Sequence, residues 1–134
     1  MVVQPVNAGV NGPPNPVREF RNEGGEYDAK AIAETLGISL GTAARILGVS
    51  TSTASRNPDS AKIRKRAAKL ERLFAELMEL YDDPDYVRAW LKTPSSFWAR
   101  EGEISPLELM AEKDWGLERV SGVVNKMRRG DFFT

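Results

Sequence analysis

A short polar stretch, residues 50–56, carries the side chains best suited to bind a ligand. Its sequence, S-T-S-T-A-S-R, combines five hydroxyl groups with one guanidinium. Hydroxyl groups can bond to base edges or phosphates, and an arginine can donate two hydrogen bonds to a guanine in the major groove. We therefore predict that this stretch contacts DNA through six side chains. They are Ser50, Thr51, Ser52, Thr53, Ser55 and Arg56.

Two short helices around a tight turn are predicted to position that stretch. Ser39 is a favourable N-cap for the first helix, and Gly48 stands at the reversal, where a positive φ suits glycine. Ser50 can cap a second helix, Thr51–Arg56, which Pro58 prevents from continuing. The pattern is typical of a helix-turn-helix, whose second helix lies in the major groove. The same spacing is compatible with an exposed polar turn in an ordinary helical bundle.

The composition argues against several classes of function. The chain contains neither cysteine nor histidine, so disulfides, thiolate metal sites and histidine general bases cannot form. We therefore expect a protein that is not an enzyme and that holds no metal or cofactor. Because we find no apolar run of membrane-spanning length and no signal peptide, we expect a cytoplasmic protein without a membrane partner.

Charge is distributed unevenly, although the formal net charge is zero. Between Arg45 and Arg72 the chain has eight basic and two acidic residues, whereas from Leu73 onward it has eight basic and twelve acidic ones. The first stretch is suited to phosphate and the second to a protein partner. Five cations on a predicted long helix form either a solvated face or a phosphate-contacting surface. They are Lys62, Lys65, Arg66, Lys69 and Arg72.

The remaining patterns predict an all-α fold in three parts. Prolines and glycines mark residues 1–27 as a flexible or extended arm. Residues 28–81 are predicted to contain a short helix, the helix-turn-helix and a long helix with an apolar stripe. Residues 82–134 are predicted to form a small helical domain, with a capping box at 105–108 and a last helix closed by Gly130.

Two features of the second half have more than one interpretation. The acids Asp82, Asp83 and Asp85 resemble a metal site, but they are more simply explained as a turn and the N-cap of a helix. The aromatic pair Phe132 and Phe133 either folds back on the core or inserts into a pocket of a partner.

The second half also resembles a known family, the Xre/MbcA/ParS-like antitoxins. Four short motifs carry the resemblance in the family's order. They are Trp90-Leu91 followed by Pro94, Pro106-Leu107-Glu108-Leu109, Gly116-Leu117-Glu118-Arg119-Val120, and Gly130-Asp131-Phe132. Residues 28–81 look like the family's N-terminal helix-turn-helix region, so the resemblance covers about residues 28–134. One departure is the longer, charged loop over 98–104, where the family often has Leu-Gly-Gly.

The resemblance implies an antitoxin of a type II toxin–antitoxin system, with residues 82–134 as a toxin-binding domain. Its partner would be a RES-domain toxin, which consumes NAD or uses it to modify a target. The antitoxin would block the toxin's active site with its C-terminal region, and the complex would bind operator DNA for autoregulation. The implied toxin contacts are the last residues of the sequence. They are Arg128, Arg129, Gly130, Asp131, Phe132, Phe133 and Thr134.

Two other classes of function compete with the antitoxin. The chain is alternatively a stand-alone transcriptional regulator whose C-terminal helices only dimerise it. An enzyme is disfavoured because the carboxylates are scattered, with neither a nucleophile nor a phosphate-binding loop beside them. Since one short recognition helix binds DNA weakly, we expect a homodimer on paired half-sites in either DNA-binding case.

Overall fold

The computed structural model describes residues 20–130, and within them the chain folds into helices and connecting turns. The α-helices of this part are α1 (Ala29–Leu36), α2 (Leu40–Leu47), α3 (Thr51–Arg56), α4 (Ala61–Tyr81), α5 (Pro84–Lys92), α6 (Pro106–Glu112) and α7 (Gly116–Arg129). A 3-10 helix, Ser96–Trp98, lies between α5 and α6. The prediction of an all-α fold is confirmed. The predicted arm up to residue 19 and residues 131–134 lie outside the described residues.

Side-chain caps fix where most of these helices begin. The N-caps of five helices each accept a hydrogen bond from a backbone N–H of the first turn, which would otherwise lack a partner. They are Asp28 for α1, Ser39 for α2, Ser50 for α3, Asp83 for α5 and Ser105 for α6. The capping box at Ser105 and Glu108 is complete in both directions. Asp83 therefore acts as a cap, and no cluster of three or more acidic side chains that could share a metal ion is found within residues 20–130.

A continuous apolar core joins the helices on both sides of residue 81. Helix α2 packs against α1, α3, α4 and α6, while α4 packs against α5 and α7. The apolar stripe predicted on α4 is buried along most of its length, and only Tyr81 is partly exposed. Its buried members are Ile63, Ala67, Leu70, Phe74 and Leu77. The proposed division into parts at residues 81 and 82 stays a prediction.

The contact between α6 and α7 requires a glycine at position 116. A Cβ atom at Gly116 would overlap the carbonyl of Leu109 and would lie 2.8 Å from the Cα of Met110. Since both neighbours are backbone atoms, they cannot rotate away as a side chain could. Gly116, which begins the third of the motifs that resemble the antitoxin family, is therefore required by helix packing in this fold.

Residues 20–27 differ from the arm that the sequence predicted. Phe20 is fully buried, and its ring centroid lies 5.6 Å from that of Phe74 on α4. The backbone N–H of Asp28 donates to the carbonyl of Phe20, and a bridge pairs Arg21 with Tyr27. This segment is therefore docked on the fold, because its aromatic side chains are held by α4 while its glycines shape the turn. The arm as a separate part of the chain stays a prediction.

A buried carboxylate on α4 holds the same segment in place. Tyr27 donates a 2.7 Å hydrogen bond to Oε1 of Glu71, and Arg21 donates to both of its carboxylate oxygens at 3.2 Å. The guanidinium also lies 4.2 Å from the centre of the Tyr27 ring. The hydrogen bond to Glu71 raises the pKa of Arg21 further, and burial raises the pKa of Tyr27. Glu71 is therefore a satisfied structural group, as buried charges require.

No helix in the stretch from residue 20 to residue 130 is both long enough and apolar enough to span a membrane.

Candidate functional site

Helix α3 presents most of the predicted DNA-contacting side chains on one exposed surface. Its inner side is formed by Ala54, which is fully buried against the core. The outer side consists of exposed polar residues, and none of their side chains has a hydrogen bond or ion pair within residues 20–130. They are Thr51, Ser52, Ser55 and Arg56. This surface offers three hydroxyl groups and one guanidinium to a ligand.

Two further residues of the predicted site, Ser50 and Thr53, have a structural task. The Ser50 hydroxyl accepts from the backbone N–H of Thr53 at 3.0 Å and donates its own proton to Oγ1 of Thr53 at 3.0 Å. Thr53 is also half-buried. These two residues therefore fix the start of α3. The four exposed side chains on its outer side are the ones available to contact a ligand.

The turn before α3 and the segment after it are both fixed to neighbouring helices. Gly48 has a φ of 78° and closes α2 by donating its N–H to the carbonyls of Ala44 and Arg45. Beyond α3, the carbonyl of Pro58 accepts from the N–H of Ala29 at the start of α1. A six-residue helix has little stability of its own, so these contacts, with the burial of Ala54, hold its exposed side chains in a fixed orientation.

Four of the five cations predicted on α4 share a cleft with the turn before α3. We call Lys62, Lys65, Arg66 and Lys69 the basic cluster. The cleft has a volume of about 520 Å³, and Gly48 and Glu118 also line it. The fifth cation, Arg72, lies outside this cleft and pairs with Glu76 at 3.3 Å.

One acidic side chain, Glu118 at the start of α7, faces the basic cluster. Its carboxylate accepts a 2.9 Å hydrogen bond from Nζ of Lys69. This bond, with the nearby charge of Arg66, lowers the pKa of Glu118. Both side chains of the pair are about half exposed, so the pair contributes little to stability.

The described part of the predicted toxin-binding region is the end of α7. Arg128 pairs with Glu76 at 3.4 Å and with Glu79 at 2.9 Å, so its guanidinium ties α7 to α4. Arg129 is exposed, and Gly130 closes the helix at a φ of 78°. The other predicted contacts, Asp131, Phe132, Phe133 and Thr134, lie outside the described residues. Toxin binding by this region stays a prediction.

An aromatic groove lies beside the end of α7, and the sequence did not predict it. The groove has a volume of about 270 Å³. Its apolar walls come from α5, the 3-10 helix and α7: Trp90, Phe97, Trp98, Val123 and Met127. The rings of Trp90 and Phe97 both meet that of Trp98 edge-on. The sequence signal was the Phe97-Trp98 pair in a loop, but no periodicity linked that loop to α7.

No protein-family model matches the chain, and no curated protein matches it. The likeness to the antitoxin family therefore rests on the short motifs given above.

Proposed function

We propose that the chain is a DNA-binding antitoxin, which contacts its operator through α3 and neutralises a RES-domain toxin with its C-terminal region. The observation that carries the DNA-binding part is the exposed surface of α3. Its outer side chains are hydroxyls and one guanidinium, while its inner side is an alanine buried against the core. Such a surface leaves the guanidinium of Arg56 able to bond a guanine.

The packing of α3 supports the same proposal. A recognition helix binds DNA more tightly when packing already holds it in the bound orientation, because less conformational freedom is then lost on binding. Helix α3 packs against both α1 and α2, and its N-cap bond orients the first turn. One such helix provides few contacts, so two copies of the chain are proposed to occupy half-sites about one helical turn apart.

The toxin-binding part is supported by the order of the four motifs and by the chemistry of the last residues. Phe132 and Phe133 offer large apolar side chains of the kind that fill a partner's pocket. The carboxylate of Asp131 stands next to them. In the proposed complex it occupies the position where a toxin holds the negatively charged pyrophosphate of NAD.

The DNA-binding part is tested by replacing Arg56 with alanine. We expect R56A to weaken binding to the operator by about 1–3 kcal/mol, or about 5- to 150-fold, because two bonds to a base are lost. The probe is a duplex that the wild-type protein selects from a random-sequence library, and the measurement is fluorescence anisotropy. Stability should barely change, since the side chain is exposed.

Arg100 provides the matched control, because it is an exposed arginine in the loop before α6. R100A should bind the selected duplex as the wild type does. If R56A also binds it with unchanged affinity, α3 does not contact the bases as proposed.

The antitoxin and the stand-alone regulator are separated by a second measurement. We expect the chain to co-purify with the product of a RES-domain gene located beside its own. A regulator whose C-terminal helices only dimerise it would purify without that partner. A failure of co-purification alongside normal DNA binding would therefore favour the regulator.

A further inference from the structure

The basic cluster occupies a single face of α4. Its members stand at positions i, i+3, i+4 and i+7, the spacing that stacks side chains over successive turns of one helix face. The buried apolar stripe of α4 lies beside this face, about a quarter of a turn around the helix axis. The four cations are therefore directed together into the cleft beside the turn, at a position fixed by the packing of α4.

Arg66 links this face to the turn that leads into α3. Its Nε donates a 2.7 Å hydrogen bond to the carbonyl of Ile46, in the last turn of α2. Its side chain passes over Gly48, where an added Cβ would come within 3.3 Å of the Arg66 Cδ. The basic cluster is thus held beside the end of α2 and the turn that leads into α3, whose first residues form the part of a recognition helix closest to the base edges.

Most of the positive charge in the cleft is uncompensated within residues 20–130. Lys62 and Lys65 are exposed and have no ion pair or hydrogen bond in this part of the chain. Arg66 uses only Nε in a hydrogen bond, so its two terminal nitrogens have no hydrogen-bond partner there, although its charge also acts on Glu118. Lys69 is paired with Glu118, but that pair is half exposed and a stronger anion can displace it.

We propose that the basic cluster binds the phosphate backbone of the DNA whose bases contact α3, and that Glu118 limits this affinity by holding Lys69. The proposal rests on the DNA-binding function given above and adds a second, sequence-independent contact surface to it. Phosphate contacts fix the register and orientation of a protein on the duplex but do not distinguish sequences. Lys62 and Lys65 would each neutralise one phosphate and release its counterions.

Duplex DNA is favoured over an acidic protein as the ligand because of where the cleft lies. The cluster borders the turn that precedes α3, so a duplex in contact with α3 passes close to it. The cleft is lined by three lysines, one arginine, Glu118 and Gly48, and Leu47 is the one apolar residue among its described lining. A protein-binding surface would be expected to contain aromatic or aliphatic anchors.

The test compares two double variants that lose the same charge. K62Q/K65Q removes two members of the cluster, whereas K113Q/K126Q removes two exposed lysines outside it, one just after α6 and one on α7. Affinity for a mixed-sequence duplex of about 30 base pairs, long enough for two half-sites, is measured over a series of salt concentrations. For K62Q/K65Q we expect the slope of log affinity against log salt to fall by about 2 in magnitude, since each contact contributes about 0.9.

The substitution E118Q tests the second part of the proposal, with an effect of opposite sign. It frees Lys69, so we expect tighter binding to the same duplex and a slope steeper by about 0.9. The variant R56A serves as the reference for the loss of a sequence-specific base contact. R56A should weaken binding to the operator more than to mixed sequence, whereas K62Q/K65Q should weaken both by the same factor.

The outcomes separate this inference from the proposed function. A salt slope of K62Q/K65Q equal to that of K113Q/K126Q would overturn the phosphate contact while leaving DNA binding by α3 intact. If the two salt slopes were equal and K62Q/K65Q also lost binding to an acidic protein, the cleft would be assigned to protein binding instead. Unchanged affinity of E118Q would overturn the role of Glu118. Failure of the wild-type chain to bind any duplex would overturn both proposals.

Discussion

A chain that ends at Gly130 is expected to lose toxin neutralisation completely while it still folds and binds DNA. The deletion removes residues 131–134, which lie outside the described residues and include both aromatic side chains of the predicted toxin contact. Buried aromatic anchors carry a large share of the energy of many interfaces, so their loss is expected to abolish inhibition. The measurement is growth of cells that express a RES-domain toxin together with either form of the chain.

The aromatic groove supplies the competing explanation and its own test. Met127 lines the groove one helical turn before Gly130, so a chain that folded back there would bring Phe132 or Phe133 onto apolar side chains. In that case the deletion would lower the melting temperature, and F97A, which removes a wall of the groove, would lower it too. Restored growth with the truncated chain would contradict the toxin-contact hypothesis, whatever the melting temperature.

Replacement of Phe20 by alanine is expected to destabilise the fold by about 3–5 kcal/mol. Phe20 is fully buried and contacts Phe74, so the substitution leaves a cavity in the main core. A loss of this size is a large fraction of the stability of a small domain. Urea unfolding followed by circular dichroism measures the change.

Phe97 is the matched control, because its side chain is 46% exposed. F97A should cost clearly less than F20A, because about half of the Phe97 side chain is already exposed and its loss leaves no cavity in the main core. If F20A were as mild as F97A, residues 20–27 would contribute little to the fold and the predicted arm would extend past residue 20.

The helix boundaries were predictable because their causes are local. Ser39, Ser50 and Ser105 each bond to a backbone N–H three residues later, so a short window of sequence contains both partners. The glycines that end α1, α2 and α7 adopt positive φ angles for an equally local reason. The prediction of α3 over Thr51–Arg56 agrees with the structure for this reason.

The segment over 20–27 was not predictable in the same way. Its structure depends on Glu71 and Phe74, which are about fifty residues away along the chain. Its composition alone, with Gly24 and Gly25 following a proline-rich start, is typical of an arm. The aromatic groove was missed for a related reason, since three separate elements bring its side chains together.

The spacing of the basic cluster indicated a common face on α4 but not what that face lies beside. Its direction is set by the packing of α4 on α2 and by the bond from Arg66 to the carbonyl of Ile46. The same limit applies to Ser50 and Thr53. The sequence marked both as candidate DNA contacts, but only the structure shows that their hydroxyls bond to each other.

The most direct test of the central claim, that α3 contacts bases in the major groove, is methylation protection of guanine N7 in the selected operator. Guanine N7 lies in the major groove and is an acceptor for arginine. We predict protected guanines in two sets about one helical turn apart with the wild-type chain, and loss of that protection with R56A at saturating concentration. K62Q/K65Q should keep the same protected guanines at higher protein concentration. Unprotected N7 positions under a saturating wild-type chain, or an identical pattern with R56A, would contradict the claim.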